Sequence, residues 1–493
     1  MSDQGTGSWP YRRSRIDPTA PALGGDGDPI GYGELAARVD RLAAALAATG
    51  IRHGDRVAHL GWNRPEAFEL FFAVCRLGAV FVPVSPRLAF PELLDVLKDC
   101  APAALFHDDD QRTTAEVAAG GIARVCGPGG QEAMTEAGDT PPRRDVTLDD
   151  PAVILYTSGT TGMPKGAVLS HGSLLFNTVN QLAHVDVLST DRALVIAPLF
   201  HATGLGQVGL PTLFKGGSLL VQRFSAGKAL KTIQERRITA FTAVPTMLRM
   251  MSTDPAFEDA DLSALRYVVY GGSPADRQVV DAWRAKGVTL LQGYGMTEAA
   301  PGVTLATERT AAAEPLSAGV PHFFTDLSVR TTRGGAGELW VRGPHLFTGY
   351  HGQPEATAEA MDDGWFRSGD AVRLDNGRLY VVDRVKDMFI SGGENVYPAE
   401  VEARLDALEG VRESVVVGVD DAEWGQVGAA FVVLEDGARL TGEQIRERLR
   451  GELAAFKVPR SVRFVPRLPR TPTGKIRRTD LVARLAREAP PDA

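Results

Sequence analysis

Cysteine is scarce in this chain: Cys75, Cys100 and Cys126 are the only three among 493 residues. An odd number at no ligand-like spacing excludes a disulfide framework and predicts buried or free thiols in a reducing compartment. The nine histidines are scattered, and none pairs with a cysteine at ligand spacing, so no zinc centre is expected. Lysine is also rare, supplying nine of 53 basic residues, so each lysine inside a polar motif counts for more than a generic surface charge. No apolar run reaches the length of a membrane span. Met1 to Trp9 lack the apolar segment of a secretory signal, and the expected location is cytoplasmic. A net charge of −8 speaks against a nucleic-acid surface, although a local basic patch can still hold a phosphate. There is no internal repeat, and residues 488–493 read as a frayed tail.

What the chain does have is length and alternation. A single hydrophobic core rarely organises 493 residues, so two or more domains are expected. Glu34 to Thr49 carries Leu35, Val39, Leu42 and Leu46 at helical spacing and is closed by Gly50. Residues 56–60 then read as a strand, 65–77 as a helix and 80–84 as a buried strand. The rhythm continues through 193–197 (strand), 226–236 (helix), 240–243 (strand) and 267–270 (strand). Such alternation predicts parallel sheets covered on both faces. Around 334–350 and 366–382 the pattern changes to short strands with glycine turns, as in a small β-rich subdomain.

Beyond a boundary expected near Asp383–Lys386 the pattern changes again. Pro398 opens a helix with Val401, Leu405 and Leu408 on its core face, and β-branched runs follow at 414–419 and 429–434. Thr441 and Gln444 form a capping box for a helix that buries Ile445, Leu449 and Leu453. This is a compact α+β module with its own core.

The strongest chemical signal follows the strand-like residues 152–155. Thr157, Ser158, Gly159, Thr160, Thr161, Gly162 and Lys165 combine glycines, hydroxyls and one cation in a short loop. Glycines let backbone N–H groups approach an anion, hydroxyls donate to it, and the lysine adds a mobile charge. Pro164 stands before the lysine where a Walker A loop needs glycine, so this is a different phosphate cradle.

The loop resembles the phosphate loop of the adenylate-forming superfamily, which includes acyl-CoA synthetases, non-ribosomal adenylation domains and firefly luciferase. Four further segments match that family's pattern in order. Gly293 to Glu298 resembles its aromatic–Gly–x–Thr–Glu motif, and Ser368 to Asp370 its ribose-binding aspartate. Asp383 to Pro398 resembles its hinge and following loop, and Pro472 to Ile476 its catalytic-lysine motif. The likeness spans about Gly33 to Leu481. It implies a large N-terminal domain of parallel α/β sheets with a β-rich subdomain (1–384), a hinge (385–387) and a small mobile α+β lid (388–488).

The resemblance also assigns roles. Thr297 would meet the α-phosphate and Glu298 would ligate Mg²⁺, a hard cation that prefers carboxylate and phosphate oxygens. Tyr294 would stack on adenine against the backbone of Gly271 and Gly272, while Asp370 and Arg384 would hold the ribose. Lys475 would stabilise the charge that develops during adenylation. Lys386 would be the hinge about which the lid rotates between half-reactions. Gly392, Gly393 and Glu394 would then line the path of the pantetheine arm of coenzyme A, with no side chain obstructing it.

His201 matches the family's aromatic gate beside the acyl carboxylate. Amino-acid-activating relatives place an aspartate there, and malonate-activating relatives place an arginine before the Tyr-Gly pair, where this chain has Gln292 and Gly293. A second substrate carboxylate would be buried without a cation. Ala202, Thr203, Gly271, Gly272, Gly293 and Gly295 accordingly read as a roomy, mostly apolar cavity for a fatty, aryl or polycyclic monoacid. On that reading a leucine at 295 would narrow the range of acids and spare AMP affinity. In the stretch 302–332, Leu316 to Pro321 and then His322 to Phe324 replace the usual Lys-Pro-Gly pattern.

The expected activity is ATP-dependent acyl-CoA ligation through an acyl-AMP. The alternatives are loading of a separate carrier protein, a single half-reaction starting from preformed acyl-AMP, or non-catalytic nucleotide sensing. Retention of Lys475 together with Gly392 and Gly393 disfavours the sensor, because binding alone requires neither. Partners are the acid, ATP and CoA, with no nucleic acid, and a homodimer is compatible with the sequence.

Overall fold

Apolar stripes and helix ends already define most elements. The computed structural model describes residues 3–488 apart from 123, 142–144, 158–163, 273–276, 316, 332–335, 385–386, 392–393, 422–423, 451, 454 and 472–473. In the helix Tyr32–Ala48, Leu35, Val39, Leu42 and Leu46 are at most 1% exposed. Burying each such side chain contributes roughly 1.5–3 kcal/mol before conformational entropy is counted. Gly50 ends the helix at φ +93°, a left-handed backbone that glycine adopts without a Cβ penalty. Pro65 occupies the first turn of the helix Pro65–Arg76, where its missing N–H costs nothing.

The chain divides into two compact units, Met1–Asp326 with Val341–Phe366, and Leu327–Trp340 with Arg367–Ala493. The first unit holds two large sheets. One has seven strands in the order 349–350, 165–170, 151–157, 80–84, 56–60, 104–107 and 125–126. The other has nine, in the order 320–321, 302–305, 290–295, 267–270, 240–243, 192–195, 218–221, 21–24 and 30–31.

The interiors of both sheets are parallel, as the alternation predicts. Their margins are not. Residues 165–170, 302–305 and 30–31 pair antiparallel with the strands before them, because the links are too short for a crossover helix. Beside the nine-stranded sheet, Trp283 is fully buried against Phe241 and Phe257 at 5.8 and 5.1 Å between ring centroids. Its Nε1 donates to the Leu248 carbonyl at 3.1 Å, which satisfies the one polar atom that burial would orphan.

The second unit contains a core of Val401, Leu405, Ile445 and Leu449, with Leu408 and Leu453 packed against it. The capping box forms as read: Thr441 N–H donates to Gln444 Oε1 at 2.9 Å, and Gln444 N–H to Thr441 Oγ1 at 3.2 Å. Its sheet runs 394–396, 389–391, 425–434, 411–421, with 461–464 added parallel to 425–434. A small apolar cluster of Ala336, Ala371 and Tyr397 joins strands of the β-rich stretch to this module.

All three thiols are free, with Cys75 and Cys100 buried and Cys126 partly so. Burial pushes each thiol up, Cys100 to about 12. Among the described residues no helix is long and apolar enough to cross a membrane.

Four histidines stand out in the first unit. His171, His322 and His345 are at most 2% exposed, and burial pulls all of them and His184 below the ordinary imidazole range, His171 and His345 to about 4. Neither ring nitrogen of His345 has a partner among the described residues. A group neutral when folded but protonated when unfolded removes stability as pH falls below the unfolded value near 6.5. The melting temperature should therefore fall steeply between pH 7 and 4. One imidazole held neutral to about pH 4 accounts for a loss on the order of 3 kcal/mol. The drop should be smaller in His345→Leu; an equal drop would show that His345 charges without unfolding.

Candidate active site

Four adjacent parallel strands, 192–195, 240–243, 267–270 and 290–295, end side by side. Crevices beyond the carboxyl ends of such strands are where open α/β sheets bind ligands. From the first strand the chain runs to His201, which caps the short helix Ala202–Gly206. Asn63 fixes that run, accepting from Leu199 N–H at 2.9 Å and donating to the Ala197 carbonyl at 2.7 Å. His201 is exposed and stands edge-on to Phe200, 4.9 Å between centroids. Ala202 is buried and Thr203 half-buried.

Gly271 and Gly272 follow directly on the strand 267–270, and Gly272 has φ +88°. A Cβ on Gly271 would lie 2.6 Å from the Gly293 carbonyl oxygen. Tyr294 is half-buried and lies opposite Thr304 in the hairpin formed by 290–295 and 302–305. Gly295 pairs with Gly302, and a Cβ on it would collide with the Pro301 carbonyl oxygen. This corrects the reading of Gly271 and Gly295 as providers of open space. Their missing side chains are required by the close approach of backbone to backbone.

Thr297 and Glu298 sit in a single turn just beyond the hairpin strand. The seven-stranded sheet reaches the same place from the other side. Thr157 pairs with Lys165, and Ala167 with Tyr350, so the base of the phosphate loop and Tyr350 share one sheet edge. Tyr350 Oη donates to Glu298 Oε1 at 2.7 Å, and Lys165 Nζ lies 5.1 Å from the Tyr350 ring centroid. Burial and the nearby carboxylate both push the Tyr350 hydroxyl far above its ordinary value, so it stays a donor. Phe347 N–H donates to the Glu298 carbonyl at 2.8 Å and holds the turn. A cation, an aromatic hydroxyl and a carboxylate thus converge beside the loop. Ser158, Gly159, Thr160, Thr161 and Gly162 lie outside the described residues.

Tyr350 escaped sequence reasoning. Its signal is weak, an aromatic after Gly349 in a two-residue strand, and the contact that matters spans 52 positions.

The remaining expected residues belong to the second unit. Asp370 is buried, and its backbone lies opposite Arg384 across the pairing of 365–375 with 378–384. Ser368 Oγ accepts from Asp370 N–H at 3.1 Å and donates to the Leu339 carbonyl at 2.6 Å. Lys475 is exposed in a tight turn: Thr471 N–H donates to the Lys475 carbonyl at 2.7 Å, and Gly474 has φ +87°. Arg478 anchors the turn's far side through a two-pronged pair with Glu402 at 2.6 and 2.9 Å. Glu394 lies in the strand 394–396, opposite Ser391. Lys386, Gly392 and Gly393 fall outside the described residues.

The model of the AMP-binding enzyme family matches residues 11–351, and that of the AMP-binding enzyme C-terminal domain matches 400–475. The chain is 48% identical to feruloyl-CoA synthase of Amycolatopsis sp, over 97% of this chain and 98% of that protein. It is 38% identical to indoleacetate–CoA ligase of Aromatoleum aromaticum over 97% and 98%. Among solved structures it is similar to o-succinylbenzoate coenzyme A synthetase (MenE) from Bacillus subtilis in complex with ATP and magnesium ion. That match has a TM-score of 0.87 and 30% identity, over 96% of this chain and 99% of that one.

The corrected role of Gly295 yields a different expectation for its replacement. Gly295→Ala should open the 290–295/302–305 hairpin at a cost of about 1–3 kcal/mol, lowering the melting temperature and weakening AMP binding together. A variant with unchanged melting temperature and AMP affinity but a narrower range of acids would restore Gly295 as a wall of open space.

Proposed function

Since the chain belongs to the AMP-binding enzyme family and is an AMP-forming acid–thiol ligase, we propose that it activates an aryl monocarboxylic acid with ATP and passes the acyl group to coenzyme A. Whole-length likeness to feruloyl-CoA synthase carries the acid class, and the indoleacetate ligase supports it. His201 in place of an acidic partner for an ammonium, and Gln292 and Gly293 in place of a cation, agree with an acid bearing one carboxylate.

The reaction is two displacements. A carboxylate oxygen attacks the α-phosphorus of ATP, the bond to pyrophosphate breaks, and acyl-AMP forms. The thiol of CoA then loses its proton and attacks the acyl carbonyl, and AMP leaves with the bonding electrons.

Lys165, set over the Tyr350 ring, supplies a cation to the phosphates, and Thr297 donates its hydroxyl to the α-phosphate. Tyr350 fixes one oxygen of Glu298 and so aims the carboxylate at the phosphate site. Among the described residues no cluster of three metal-ligating side chains exists. A single oriented carboxylate fits Mg²⁺, which keeps its waters and takes phosphate oxygens as further ligands. When bound, Mg²⁺ neutralises phosphate charge. MenE with ATP and magnesium ion supports this assignment.

Asp370 accepts from the ribose hydroxyls and Arg384 donates to the same sugar. Tyr294 stacks on adenine beside Gly271 and Gly272. His201, Ala202, Thr203 and Gly293 border the acyl group. Lys475 approaches the reacting atoms in the first step only; an ammonium about 4 Å from a developing charge contributes roughly 4 kcal/mol at an effective dielectric of 20. Lys386 is the pivot of a lid spanning 388–488, whose other face brings Gly392, Gly393 and Glu394 to the pantetheine path.

Half-reactions measured separately test the scheme, with acyl-AMP and acyl-CoA read by mass spectrometry. Lys475→Ala should slow acyl-AMP formation by roughly 10²–10³ and leave conversion of synthetic acyl-AMP and CoA nearly intact. Gly393→Leu should do the reverse and let acyl-AMP accumulate. If the unmodified protein uses acyl-AMP but makes none from any acid and ATP, it performs one half-reaction; if acyl-AMP forms but CoA is not acylated, the acceptor is a carrier protein.

The pivot has its own test. Lys386→Pro fixes φ and removes an N–H, which should trap one conformer. Acyl-AMP should still form while thioester formation fails. Equal loss of both steps in a folded variant would place the pivot elsewhere.

A further inference from the structure

Resting on the aryl-acid reading, we infer that Gln207 is a specificity-determining residue whose carboxamide takes a hydrogen-bonding substituent, such as a phenolic hydroxyl, carried by the acyl group. Gln207 is only 8% exposed, yet its carboxamide makes no hydrogen bond with any described residue. Its Nε2 lies 3.9 Å from the point a Cβ on Gly293 would occupy, so the amide faces the glycine wall that leads to Tyr294.

Tyr270, Thr304 and Asn177, polar groups near this wall, are paired within the protein. Tyr270 Oη donates to Gln292 Oε1 at 3.0 Å, and Thr304 Oγ1 to the Ala318 carbonyl at 2.6 Å. Asn177, fully buried, uses both ends of its amide. Its Nδ2 donates to the Gly206 carbonyl at 2.7 Å, and its Oδ1 accepts from Gly302 N–H at 3.2 Å. Asn177 thereby ties the segment that precedes Gln207 to the hairpin that carries Gly293.

The carboxamide is not sealed away from solvent, so a polar group entering beside Gly293 can reach it. A hydroxyl both donates and accepts, so it satisfies either end of the amide. An alkyl chain or an unsubstituted ring satisfies neither. A site built around such a group discriminates against the analogue lacking the hydroxyl far more strongly than an apolar wall discriminates by size.

The test compares kcat/KM for trans-4-hydroxycinnamate and trans-cinnamate, two acids differing by one hydroxyl, with ATP, Mg²⁺ and CoA. The unmodified protein should favour the hydroxylated acid. In both Gln207→Leu and Gln207→Met the ratio of the two values should fall about tenfold, carried by KM. An unchanged ratio in a variant that still turns over overturns the assignment of Gln207 and leaves the aryl ligase standing. Failure of the unmodified protein to convert either acid overturns the aryl reading, and the assignment with it.

Discussion

Backbone approaching backbone without intervening side chains is the constraint on which the site depends. Gly271 faces the Gly293 carbonyl, Gly295 faces the carbonyl of Pro301, and Gly206 faces that of Ala300. The helix 202–206, the turn after strand 267–270 and the hairpin 290–305 are thereby drawn together. Asn177 then bridges two of them with one donated and one accepted hydrogen bond. Because the walls are main chain, their positions are set by sheet register and tight turns, not by rotamers. A crevice so built is rigid, and rigid placement of donors is what lets a site favour a developing charge without reorganising.

Much of this was legible in the amino-acid order, and the misses have physical causes. The strands 56–60, 80–84, 240–243 and 267–270 stand where continuous apolar runs put them, since both faces of each are covered. The second unit's capping box and its Val401 and Leu405 face were equally plain, because capping and helical spacing are local. The antiparallel margins were not, because pairing direction depends on link length and neighbours. Glycine is ambiguous in a sequence: it permits open space and close approach alike, and only the Pro301 carbonyl beyond Gly295 decides between them. Nor does any periodicity announce that Tyr350 meets Glu298, or that the amide of Gln207 lacks a partner. Those are properties of the assembled sheets.

The two motif lysines are held in different ways. Lys165 is backed by the aromatic face of Tyr350, whose hydroxyl holds Glu298, so its charge has a defined neighbourhood. Lys475 instead projects from a turn stiffened by Thr471 and Gly474, with Arg478 bound to Glu402 behind it. One lysine is embedded in a sheet edge and the other is presented on a small, tightly tied loop.

The state of the thiols has a practical consequence. Cys75, Cys100 and Cys126 all lie in the first unit, and burial raises the pKa of each. A thiol kept protonated near neutrality reacts slowly with electrophiles. Cys75 and Cys100 are also shielded by burial, whereas Cys126 is only partly covered. With Cys126 replaced, a single cysteine placed on the exposed surface of the second unit would face only two buried competitors, giving a selective attachment point for a fluorescent label without stripping the protein of all its own sulfur.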